Sequence, residues 1–90
     1  MKLVLVFTTT HNALAAEAAL SGRAMAREVL PTPREISVSC GISIQLDKSY
    51  LANVLELAEA NEINVLGVYM LDPGSEPGKR EYIEVWGATQ

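Results

Sequence analysis

The chain has 90 residues, of which 49% are apolar and 20% charged, with a formal net charge of −4. That length supports one modest hydrophobic core, and the composition is that of a folded chain rather than a disordered one. The acid excess argues against nucleic acid, whose phosphates need clustered Lys and Arg, and no apolar run approaches the roughly 20 residues that span a bilayer.

Leu3 to Phe7 is a continuous, β-branched-rich apolar run, the pattern of a strand buried on both faces. With Met1 and Lys2 it has the outline of a signal peptide. It is too short for one, lacks a cleavage site, and meets Thr8-Thr9-Thr10 at once, so it reads as a first strand. The threonines offer N-cap hydroxyls. His11 to about Ser21 is alanine-rich and predicts a helix, with Gly22 as its stop or a continuation to Ala24. Ala26 to Leu30 contains Val29 and Leu30 and ends at Pro31, predicting a second strand. Ile42, Ile44 and Leu46 alternate with Ser43 and Gln45, a half-buried third strand, and Asp47 is a candidate cap.

Leu51, Val54, Leu55 and Ala58 keep helical spacing, with Glu56, Glu59 and Glu62 toward solvent. Val65 to Leu71 predicts a fourth strand. Asp72 to Gly78 is rich in Pro and Gly and predicts a turn, and Glu81 to Trp86 predicts a fifth strand in a hairpin with the fourth. The order strand-helix-strand, strand-helix-strand predicts an α+β fold: a ferredoxin-like βαββαβ sandwich, helices on one face of an antiparallel sheet, with an additional C-terminal strand. Residues 1–71 form the sandwich on this reading, and residues 72–90 add a turn and strand to the same domain.

The connection between the second and third strands, Pro31 to Gly41, holds the only cysteine. At about ten residues it is longer than the usual hairpin loop of roughly two to five. Pro31 and Pro33 fix φ before Cys40, and Gly41 frees the backbone after it. A thiol is a nucleophile as thiolate, a form favoured by a nearby cation such as Arg34 and by oriented N–H groups. Ser37 and Ser39 can donate to a sulfur anion, and His11 is a candidate proton carrier. Each has a plainer role open to it: Cys40 as buried core, Arg34 in a surface ion pair, His11 as a polar residue of the first helical turn, and the serines as ordinary loop residues. Glu17 is either exposed or turned toward this connection. Tyr82 and Trp86 offer a partner surface or pack on the sheet.

One Cys and one His cannot make a zinc site within one chain. There is no Cys-x-x-Cys, no glycine-rich phosphate loop after a strand and no nucleophile elbow. No metal and no cofactor is expected. A single unpaired cysteine fits a reducing, cytoplasmic setting.

The run Pro31-x-Pro33-Arg34-Glu35-Ile36-Ser37-x-Ser39-Cys40-Gly41, with Phe7, the Thr-His11-x-Ala13 start and Ala16-Glu17 before it, resembles the selenium/sulfur carrier-like family over about residues 1 to 71. The resemblance implies a reactive Cys40 that holds sulfur or selenium as a persulfide or selenosulfide. The partner would be a donor or acceptor of that atom, protein or small molecule, and the protein a carrier rather than an enzyme. Two positions depart from the family's pattern: Val38 replaces the middle of three serines, and Gln45 stands where a basic residue is common. A regulatory or oligomerisation module with a structural cysteine is the competing reading. Open sheet edges in so small a domain further predict a homo-oligomer.

Overall fold

A computed structural model describes residues 2–33, 36, 41–71 and 82–87. Strand β1 (Lys2–Val6) leads to helix α1 (Thr10–Gly22), then β2 (Glu28–Pro31) and β3 (Ile42–Asp47). A single 3₁₀ turn, Lys48–Tyr50, opens helix α2 (Leu51–Glu59), followed by β4 (Gly67–Leu71) and β5 (Tyr82–Gly87). The five strands form one sheet in the order β2-β3-β1-β4-β5, every neighbour antiparallel. The α+β expectation holds, and the last strand forms its hairpin with β4.

Pairing fixes which side chains share a face, because opposed residues in an antiparallel ladder point the same way. Leu3 lies between Leu46 and Met70, and Leu5 between Ile44 and Val68. This face joins Ala13, Ala16 and Leu20 of α1 and Val54, Leu57 and Ala58 of α2 in one core, so both helices lie on it. Leu3, Leu5, Phe7, Leu20 and Val54 are fully enclosed there. The other face also carries buried groups: Val4 and Val6 of the central strand and Ser43 beside them. The expectation that the first strand is buried on both sides is met.

Helix α1 and the 3₁₀ turn that precedes α2 each start on a side-chain oxygen. Thr9 caps α1, its Oγ1 accepting from the Asn12 backbone N–H at 3.1 Å, while Asn12 Nδ2 donates to Thr8 Oγ1 at 3.2 Å. Asp47 caps the 3₁₀ turn before α2, accepting from Ser49 N–H at 3.0 Å. Donation by Ser49, from its hydroxyl and its backbone, holds the Asp47 carboxyl below the usual carboxylate range.

Two strand starts differ from expectation, and one helix exit turns at an unexpected residue. The second strand starts at Glu28 rather than Ala26, because Met25 is drawn into the core and Arg27 is held by Glu17. Helix α1 stops at Gly22 as expected, yet the left-handed residue of its exit is Ala24, at φ 56°. The fourth strand starts at Gly67 rather than Val65, because Val65 is buried ahead of it and Leu66 N–H bonds Val6 O at 2.7 Å.

Strand β5 is tied to β4 by two devices. Val68 faces Trp86, which packs on the core. On the opposite face Tyr69 donates its hydroxyl to Glu84 Oε2 at 3.1 Å, and its ring lies over Gly67, where a side chain would begin only 3.0 Å from Tyr69 Cε2. Partial burial, and then the Glu84 carboxylate, push the Tyr69 phenol upward. A bulge between Val68 and Tyr69 in the pairing leaves Val85 as the extra residue of β5.

Candidate functional site

Of the residues singled out by the sequence, Arg34, Ser37, Ser39 and Cys40 lie outside the described residues, and His11 and Gly41 within them. What the structure fixes is the frame on which the cysteine-bearing connection is mounted.

The registers place one end of every strand together. Val6 pairs with Gly67, Leu5 with Ile44, Pro31 with Ile42 and Gly67 with Gly87. The C-terminal end of β1, the C-terminal end of β2 and the start of β3 therefore meet at one edge of the sheet. The connection that bears Cys40 leaves and returns at this edge. Residues 7 to 9, which lead from β1 into α1, leave from it too. His11 is thus brought to the same end of the molecule as Gly41. It is exposed and is the second residue of α1, as the plainer reading had it. The first turn of α1 holds no acid, so its free N–H groups keep their partial positive charge at this end.

The neck of the connection is closed by hydrogen bonds. Thr32 N–H donates to Gly41 O at 3.1 Å, one step beyond the Pro31–Ile42 pair. Ile36 N–H donates to Pro33 O at 3.1 Å. Gly41 is exposed and no atom lies within 4 Å of where a side chain would start. Cys40 is covalently joined to this anchored glycine.

Thr32 is the residue that sequence reasoning missed. Its neighbours Pro31 and Pro33 have no backbone N–H, so of these three residues Thr32 alone can donate across the neck. A lone N–H between two prolines was the available signal. Its Oγ1 is buried and has no hydrogen-bond partner among the described residues. Beside it Ser43, also buried, donates to Leu30 O over a long 3.5 Å.

Glu17 is assigned elsewhere. Its Oε1 accepts from Arg27 Nε at 2.9 Å and from Arg27 NH2, and Arg27 also donates to Met25 O at 3.3 Å. The pair braces the α1–β2 turn, at the opposite end of β2 from the neck. Two of the cavities among the described residues are lined by no site residue. One of about 240 Å³ is lined by Arg23, Met25, Asn53, Glu56, Leu57 and Glu62. The other, of about 220 Å³, lies at the Lys2 and Asp47 end of the sheet. No three His, Cys, Asp or Glu side chains gather as a metal group among the described residues. No helix there is long and apolar enough to cross a membrane.

A sequence model of the family described as "Putative Se/S carrier protein-like" matches residues 2–70, well over half of the 90-residue chain. The chain belongs to that family. No curated protein and no solved structure matches it. The Se/S carrier-like match takes in His11, Arg34 and Cys40, and ends within β4. Strand β5 lies beyond it.

Proposed function

We propose that this Se/S carrier-like chain carries sulfur or selenium on Cys40 and passes it to a partner. The observation that carries the reading is the closed neck inside a family-matched segment. Thr32 and Gly41 pin the two ends of the connection together, and the stretch between them that carries Cys40 lies inside the family match. We read the strand order β2-β3-β1-β4 as a ferredoxin-like βαββαβ sandwich occupying residues 1–71, with 72–90 adding β5 to the same domain. In that frame the neck of the connection and the start of α1 share one end of the sheet.

The chemistry needs no cofactor and no second cysteine. The Cys40 thiolate attacks the outer sulfur of a donor persulfide. The donor's S–S bond breaks, its inner sulfur leaves as a thiol, and Cys40 becomes a persulfide. Selenium carried at the end of a donor selenosulfide is taken the same way: the Cys40 thiolate attacks the terminal selenium, the donor's S–Se bond breaks, the donor sulfur leaves as a thiolate, and Cys40 becomes a selenosulfide. No oxidant is consumed in either exchange, since the transferred atom arrives at the zero-valent level. Arg34, Ser37, Ser39 and the Gly41 N–H stabilise the sulfur anion before and after loading. His11 takes up or returns the proton. With no resolving thiol in the chain, the loaded atom leaves only to another molecule, which makes this a carrier rather than an enzyme, working in the reducing cytoplasm.

Mass spectrometry after incubation with a persulfide donor tests the proposal. Wild type should gain one sulfur atom, Cys40→Ser should gain none, and Arg34→Ala should load more slowly with a raised thiol pKa. If wild type gains nothing that Cys40→Ser lacks, the carrier reading fails and a regulatory or oligomerisation module with a structural cysteine replaces it.

A further inference from the structure

We propose that the free edge of β5 is a self-association surface, through which two copies of the chain join antiparallel into one continuous sheet. An edge strand carries a row of backbone donors and acceptors that another strand can pair with. Among the described residues β5 pairs only with β4. Its side chains Ile83 and Val85 are 55% and 36% exposed, two of the four large apolar side chains that stand in solvent among the described residues. The opposite edge is less suited to such pairing. Strand β2 has four residues and ends in Pro31, which has no N–H to give.

The occupant is a second copy because the strand complements itself. A two-fold axis between Glu84 and Val85 sets Ile83 of one copy opposite Trp86 of the other. Both belong to the helix-covered side, since Ile83 faces Met70 and Trp86 faces Val68 in the existing ladder. The same axis sets Glu84 opposite Val85, so the only charged side chain between Tyr82 and Gly87 does not meet its own copy. The helical layer is less suited to self-contact in a chain of net charge −4, since Glu56, Glu59 and Glu62 are exposed at α2 and its exit. An isologous strand pair is the simplest closed way to satisfy a free edge, and closure stops growth at two copies. The family match ends at residue 70, so this surface belongs to the chain's own extension and stands apart from the carrier reading.

Light scattering and sedimentation under thiol reductant, which excludes a Cys40 disulfide, test the proposal. Wild type should approach twice the 9.7 kDa chain mass as concentration rises. Ile83→Lys and Val85→Lys should return it to the single-chain mass while keeping the wild-type circular dichroism. Val29→Lys, on the opposite edge, should leave the dimer unchanged. Should the lysine variants fail to fold, amide exchange on wild type decides: β5 amides should slow at high concentration relative to low. A single-chain mass at millimolar concentration overturns the proposal. So does a dimer that survives both lysine substitutions, or β5 exchange that ignores concentration.

Discussion

Helices α1 and α2 stop in the same turn, and different forces hold it. In α1, Met25 N–H bonds Leu20 O and Ala24 N–H bonds Ser21 O; in α2, Glu62 N–H bonds Leu57 O and Asn61 N–H bonds Ala58 O. Both pairs are the six-to-one and five-to-two bonds of a Schellman exit. Both place a left-handed residue after the cap, Ala24 at φ 56° and Asn61 at φ 59°. The residues that follow part company. Met25 is buried in the core with Leu20, the apolar contact that usually accompanies this turn, whereas Glu62 is exposed and forms an ion pair with Arg23. Identical backbone hydrogen bonding thus says little about where the energy lies.

Met25→Ala should break the comparison most. It removes a core side chain, and such truncations cost roughly 2 to 5 kcal/mol. Glu62→Ala, at the equivalent place in the α2 turn, should cost no more than about 0.5 kcal/mol. Urea unfolding of the two variants side by side checks the contrast. Equal costs would mean the turn itself, and not the burial of Met25, sets the stability of the exit.

The left-handed position should sharpen it next. An L-residue there costs roughly 1 to 2 kcal/mol, which asparagine partly avoids and alanine does not. Ala24→Gly should therefore stabilise by about 1 kcal/mol after glycine's own entropic cost, raising Tm by roughly 4 to 8 °C in a domain of this size. Asn61→Gly should change stability by only a few tenths of a kcal/mol, since asparagine already tolerates the geometry. Thermal melts of both variants give the answer.

The two helix starts differ in chemistry as well. Thr9 caps α1 with a neutral hydroxyl, and Asp47 caps the turn into α2 with a carboxylate whose pKa is lowered by Ser49. A carboxyl that is lower folded than unfolded stabilises the native state above its ordinary value, here 3.8, and loses that contribution as pH falls through the folded value. Only the α2 start should weaken in acid. Asp47→Asn keeps an acceptor that does not titrate, so stability measured from pH 6 to pH 2 should fall less steeply than in wild type. Identical slopes would remove Asp47 from the acid response.

Much of this was legible before any coordinates. The apolar run at Leu3, the threonines before α1, Asp47 before α2 and the alternation from Ile42 are local signals, and the structure uses each of them. The misplaced boundaries are tertiary effects. Gly22 has the freedom a helix exit wants, yet the left-handed place falls two residues later, where Met25 reaches the core. Glu17 finds a partner ten residues away in Arg27, in the α1–β2 connection, which no spacing rule links to it. The bulge that sets Val85 apart depends on how β4 and β5 meet. For the candidate site, the sequence marked the thiol and its neighbours, while the neck bond from Thr32 needed the β2–β3 register to be seen.

The smallest expected effect is the bridge between the two exits. Arg23 NH2 meets Glu62 Oε2 at 2.8 Å, but the two side chains are 52% and 51% exposed. Water screens such a pair, and holding two long side chains in one geometry costs entropy, so coupling of this kind is usually about 0.2 to 1 kcal/mol. The bridge also borders the 240 Å³ cavity, where Glu56 adds a second acid on the same side. Removing Glu62 alone leaves Arg23 near Glu56, so a single substitution would understate the pair. A double-mutant cycle with Arg23→Ala and Glu62→Ala isolates the coupling, which should lie near the low end of that range and shrink toward zero at 1 M salt, where screening acts over about 3 Å. A coupling that stays large in high salt would mean that the two exits are locked electrostatically, and that α2 has its own counterpart to the burial of Met25.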